Sequence, residues 1–208
     1  MEDVLDVYHR PYDPRRPMVC MDEASKQLIG EVREPLPTRP GRIQKYDSEY
    51  KRLGTANIFM AVEPLAGQRT VRVTDRRTKL DWAEFIRHLL EDVYADADLV
   101  VLVMDNLNTH NAGSFYEKFP PEKAKALWDR FEFVHTPKHG SWLNIAEIEL
   151  NVLWGQCLKR RIDDIETVRK EAVAWQDMRN NKNARVNWQF TTTDARVKLS
   201  RLYPTLKS

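Results

Sequence analysis

Cysteine is almost absent from the 208 residues: Cys20 and Cys157 are the only two. They form no CxxC pair, so a disulfide framework and a thiolate zinc knuckle are both excluded. Long apolar runs are missing as well. The longest aliphatic stretch, Leu99 to Met104, is far short of the ~20 residues a spanning helix requires. The opening MEDVLDVYHR mixes acids, a base and aromatics where a signal peptide would carry an apolar core. A soluble, cytoplasmic chain is expected. Glycine is scarce, at seven residues, and forms no phosphate-cradling loop between a strand and a helix, which removes support for nucleotide folds of that type. No internal repeat is present. Nor does one charge dominate: 33 bases against 31 acids leave +2.

What is present suits one globular domain. An apolar share of 42% with 31% charged residues excludes a collagen-like or wholly disordered chain. The charge is unevenly spread. Residues 1–150 hold 21 Lys/Arg against 25 Asp/Glu (−4), and residues 151–208 hold 12 against 6 (+6). A polyanion would therefore meet the C-terminal quarter, while carboxylates concentrate before it.

The first 17 residues read as an extended lead-in without a core pattern. PMVCMDE then predicts a buried strand, with KQLIGEV returning as its hairpin partner, and Pro35 to Gly54 a long loop. TANIFMAVEPLAGQRTVRVTD predicts a hairpin turning through Pro64 and Gly67. Thr78 with Asp81 is a capping box opening a helix, and Leu99 to Met104 is a strand covered on both faces. PPEKAKALWDRF predicts a proline-started helix, FEFVHT a strand, and Trp142 or Leu143 to Lys159 a helix with the stripe Leu143, Ala146, Leu150, Leu153 and Cys157. Asp163 with Glu166 and Thr191 with Asp194 predict caps for two final helices. The order implies a mixed α/β sandwich with C-terminal helices.

The candidate chemistry lies in carboxylates at strand ends. Asp105 closes the most apolar strand and leads into Asn106, Asn108, Thr109 and His110; in α/β folds sites form at that carboxyl edge. Asp22 ends another apolar strand. Neighbours on a strand face opposite ways, so only one of Asp22 and Glu23 enters a given site. Two aspartates invite a third carboxylate, and an all-oxygen set suits Mg²⁺ or Mn²⁺. Glu147 and Glu149 flank the apolar stripe of their helix on opposite sides, so periodicity does not choose between them.

CMDE, VMDNLNTH and TPKHGSWLNIAEIE together resemble the catalytic domain of a DDE transposase, and more closely the bacterial insertion-sequence branch of the Tc/mariner superfamily. The Asp-Asn…His signature is met by Asp105, Asn106 and His110, and the Leu-Asn-Pro-Ile-Glu signature by Leu143, Asn144 and Glu147, with Ile145 and Ala146 replacing Pro-Ile. That register selects Glu147. The 41 residues between Asp105 and Glu147 exceed the family's usual interval, with the extra length around PPEKAKALWDRF. The resemblance runs from about Arg15 through RLYP.

It implies a ribonuclease H-like fold over 18–208, and catalytic metal ligands Asp22, Asp105 and Glu147 around two Mg²⁺ or Mn²⁺ ions. Asp22 would bridge the ions, with Asp105 on one and Glu147 on the other. Glu23, Asn106, His110 and Asn144 would support these groups or contact the scissile phosphate. Lys138, His139, Ser141, Trp142, Arg160 and Arg161 are DNA-contact candidates, Trp142 either stacking on a base or packing the helix start. The implied activity is cleavage of transposon-end DNA and strand transfer into target DNA at TA, by a homodimer, in the bacterial nucleoid. Relatives carry helix-turn-helix modules before this domain; Asp22 arrives too early for one, so a catalytic half is expected. The rivals are a stand-alone metal nuclease of the same fold and an inactive domain retained for binding DNA or protein.

Overall fold

The computed structural model describes residues 1–33, 39–41, 48–107, 110–138 and 140–203. Its sheet has five strands: β1 (Met18–Glu31), β2 (Tyr50–Glu63), β3 (Gln68–Thr74), β4 (Val100–Met104) and β5 (Phe131–His135), ordered β3-β2-β1-β4-β5. β1 to β3 are antiparallel, while β1, β4 and β5 run parallel. The helices are α1 (Glu2–Tyr8), α2 (Lys79–His88), α3 (Ala112–Lys118), α4 (Pro121–Trp128), α5 (Ile145–Leu153), α6 (Ile165–Asn181) and α7 (Thr192–Lys198). None of these is long and apolar enough to cross a membrane.

Strand alternation divides the core in two. Val19 and Met21 face α2 to α4, meeting Trp82, Phe85 and Phe115. Cys20 and Leu28 face the other way, into a cluster with Val4, Leu5, Leu143, Leu150 and Trp175. Both faces of β4 are therefore covered and all five of its residues are buried, as its unbroken apolar run predicts.

The structure corrects several expectations. Residues 18–31 form one long strand pairing with β2 from Cys20↔Val62 to Glu31↔Tyr50, with no return hairpin. No Gly, Pro, Asn or Asp separates Glu23 from Lys26 to start one. β2 begins at Tyr50, inside the segment expected to be loop; residues 34–38 and 42–47 of that segment lie outside the described residues. The lead-in contains α1, which buries Val4, Leu5, Val7 and Tyr8; two turns are too short to display a helical period. Asp164, not Asp163, caps α6, accepting from the Thr167 N–H at 2.8 Å. The capping boxes at Thr78 and Thr191 form as expected.

The outer edge of β3 is sealed by α6 side chains. Asn180 accepts from the Arg69 N–H (2.8 Å) and donates to its carbonyl (2.9 Å). Gln176 accepts from Val71 (2.7 Å) and Arg169 donates to Val73 (3.3 Å). An edge that would otherwise offer free amides for pairing is thereby occupied.

Candidate active site

Asp22 and Asp105 stand level because β1 and β4 are parallel and in register. Cys20 pairs with Val103, and each aspartate lies two residues further on. Glu147 comes from α5, whose start is fixed by Asn144. The buried Asn144 amide donates to the Met21 carbonyl at 2.9 Å, and its oxygen accepts from the Ala146 N–H at 3.1 Å. One side chain thus caps α5 and ties it to the strand that carries Asp22. Two further bonds brace the approach. Gly140 donates to the Pro137 carbonyl at 2.8 Å, and the Tyr8 hydroxyl of α1 donates to the Leu143 carbonyl at 2.5 Å.

Asp22, Glu23, Asp105, Thr136, Ser141, Asn144, Glu147, Leu150 and Asn151 line one cavity of ≈ 320 Å³. Burial, joined by repulsion from Asp105, Glu23 and Glu147, raises the Asp22 carboxyl to about 7, against the backbone N–H of Glu23 that donates to it at 2.8 Å. Asp22 is therefore about half protonated near neutral pH. Glu147 Oε2 is buried without a hydrogen-bond partner. The orphaned carboxylate oxygen beside an aspartate with a raised carboxyl pKa belongs to an oxygen-only donor set, of the kind that suits a hard divalent ion. Among the described residues no three carboxylate, imidazole or thiol groups are close enough to hold an ion.

Glu149 is directed elsewhere. Its carboxylate meets Arg69 Nε at 3.0 Å and Arg179 at 2.7 Å, and the Arg69 side chain is wholly buried. It holds β3 and α6 to α5, and a carboxylate so paired is unavailable to the cavity.

Glu23 faces the opposite side of the sheet from Asp22. There its Oε2 lies 3.2 Å from His110 Nε2, while His110 Nδ1 lies 3.1 Å from Asp105 Oδ1; these are ion-pair contacts, since Glu23 Oε2 and His110 Nδ1 make no hydrogen bond of good geometry. Burial disfavours the charged imidazole, but Asp105 and Glu23 outweigh it and raise His110 to about 9. Asn106 is exposed, as is Lys138. Trp142 is 42% exposed with its ring edge toward Phe190 at 6.1 Å. His139, Asn108 and Thr109 lie outside the described residues. Arg160 pairs with Glu171 at 2.6 Å and Arg161 with Glu31 at 2.5 Å. Glu31 is nine residues beyond Asp22 on β1, roughly 30 Å away, so Arg161 stands well apart from the cavity. Sequence reasoning did not single out Asn151 or Thr136. Asn151 follows Glu147 by four on α5, the spacing that puts two side chains on one helix face.

A mixed sheet with helices on both faces and acidic groups at the edge of its central strands defines a ribonuclease H-like α/β domain. The chain belongs to the DDE superfamily endonuclease family, whose model matches residues 17–169. No curated protein matches the sequence. Among solved structures, the Mos1 strand transfer complex is similar with a TM-score of 0.59 at 16% identity, covering 88% of this chain and 55% of that one. The Mos1 mariner paired end complex with Mn gives 0.54 at 16% identity, covering 88% and 56%. A pre-cleavage Mos1 transpososome gives 0.54 at 16%, covering 88% and 59%. The chain thus spans a little over half the length of these relatives.

Proposed function

We propose that residues 18–208 are the catalytic domain of a transposase that cuts transposon-end DNA and joins it to target DNA at TA, using two Mg²⁺ or Mn²⁺ ions and acting as a homodimer. The observation that carries this reading is the single cavity lined by Asp22, Asp105 and Glu147, in a member of the DDE endonuclease family. The solved relatives with this fold are DNA complexes of a transposase, one of them with Mn, which supports DNA and divalent metal as the partners here.

Bound ions supply an activated oxygen nucleophile and stabilise charge on the leaving oxygen of an in-line displacement. Asp22 would hold both ions, with Asp105 on one and Glu147 on the other. To hold a cation, Asp22 would have to be in its ionised form. Ser141 and Asn151 on the cavity wall, with Lys138 and Trp142 nearby in the chain, are assigned to the DNA strand. The C-terminal bases are less accessible to phosphate than their number implies. Arg160, Arg161, Arg169, Arg179, Arg196 and Lys198 are all in intramolecular ion pairs. Sequence-independent, salt-sensitive DNA binding is expected of such a surface.

The test is a cleavage and strand-transfer assay with Mg²⁺ or Mn²⁺ on DNA carrying the repeats that flank the gene, with the matching upstream DNA-binding module supplied. Cutting at the repeat ends and joining at TA, both lost in Asp105→Asn, is the expected result. Efficient cutting of RNA–DNA hybrid or branched DNA without joining would replace this reading with a stand-alone nuclease. Metal-independent binding with no cutting would leave an inactive binding domain.

A further inference from the structure

The Asp105–His110–Glu23 chain crosses the sheet edge from the cavity to the opposite core. The His110 side chain is 1% exposed and that of Glu23 4%, whereas that of Asp105 is 39% exposed. His110 stacks on the buried Trp82 at 5.0 Å with the rings 22° apart, and Trp82 packs edge-on against Phe115 at 5.3 Å. The imidazole is therefore clamped by aromatic packing on α2, and each ring nitrogen meets a different carboxylate. Buried that deeply, it is shielded from DNA, which argues against a phosphate contact.

We propose that His110 and Glu23 are positioning residues for Asp105. Glu23 pairs with the imidazole from the far face of the sheet, and the imidazole attracts Asp105 Oδ1 as an ion-pair partner, leaving the other oxygen for the cavity. The ordering cost of an exposed aspartate is then met before a cation binds. This rests on the reading of Asp105 as a metal ligand. Glu23 follows Asp22 directly on a strand, so the two acids serve one centre from opposite faces: Asp22 by contact, Glu23 through His110.

The test is Mn²⁺ binding to the folded chain, read by loss of the free-ion electron paramagnetic resonance signal. Glu23→Gln keeps the size of the side chain but removes the charge that pairs with the imidazole. It is expected to weaken Mn²⁺ binding at least several-fold, and His110→Gln by 10- to 100-fold, the range typical of supporting partners. The double variant is expected to bind no more weakly than His110→Gln, because the effect of Glu23 on Asp105 runs through the imidazole. A merely structural role would lower the melting temperature without moving affinity in the folded protein. Wild-type affinity in Glu23→Gln, or full additivity in the double variant, would overturn the proposal. Should His110→Gln not fold, Glu23→Gln alone decides. Asp105→Asn separates the two levels: if it leaves Mn²⁺ binding intact, the ligand reading fails, whereas if it abolishes binding and Glu23→Gln changes nothing, only the positioning role fails.

Discussion

Asp22 shows how a residue suited to binding a cation makes the metal-free fold less stable. Its carboxyl is raised from 3.8 to about 7 by burial and then by Asp105, Glu23 and Glu147. Folding therefore takes up a proton, so the stability this group contributes is complete below about pH 4 and declines as pH rises to 7. Asp22→Asn removes the penalty. It is expected to stabilise the metal-free protein by about 1–3 kcal/mol at pH 8 and leave stability unchanged near pH 3, while Mn²⁺ binding is lost. Urea unfolding at the two pH values checks this, and an unchanged or lower stability at pH 8 would contradict it. Glu149 behaves in the opposite way: Glu149→Gln leaves Arg69 and Arg179 with reduced compensation. A loss of about 3–5 kcal/mol is expected, measurable by the same unfolding. The two glutamates of α5 are thus unequal, though the helical period places them symmetrically. The distinction needs Arg69, which lies 80 positions earlier in the chain and is invisible to local pattern.

At the scale of elements, α5 depends on a short loop and one cap. Asn144→Ala removes the cap and the link to Met21 together. It is expected to cost about 1–3 kcal/mol and to weaken Mn²⁺ binding, because Glu147 sits in the first turn of that helix. Gly140 is constrained just before it. A Cβ there would meet the Pro137 ring at 2.5 Å and its carbonyl oxygen at 2.9 Å, so Gly140→Ala is expected to lower Mn²⁺ affinity; calorimetry reads both variants. The local signals were legible in sequence: the capping boxes at Thr78 and Thr191, the β2–β3 turn, and the proline that starts α4. Each is written within a few residues. α1 and the single long β1 were not, since two helical turns carry little periodicity and β1 is defined by its pairing with β2. Asn144 was legible as part of a signature, but its bond to Met21 depends on a tertiary contact.

At the scale of the whole molecule, the sheet order decides the site. The strands of Asp22 and Asp105 are about 80 residues apart in sequence, and only the parallel β1–β4 pairing sets them side by side. The apolar runs showed where each strand ends, but not that the ends are level. The two-faced core adds the remaining elements, with α5 bringing Glu147 to one face and α2 supplying Trp82 behind His110 on the other. If these parts form one divalent-cation centre, metal affinity must depend on all three carboxylates together. Calorimetric titration of Mn²⁺ into the wild-type chain, Asp22→Asn, Asp105→Asn and Glu147→Gln tests this most directly. The account predicts wild-type binding that falls at least tenfold in each variant. Wild-type affinity in any of the three would contradict it.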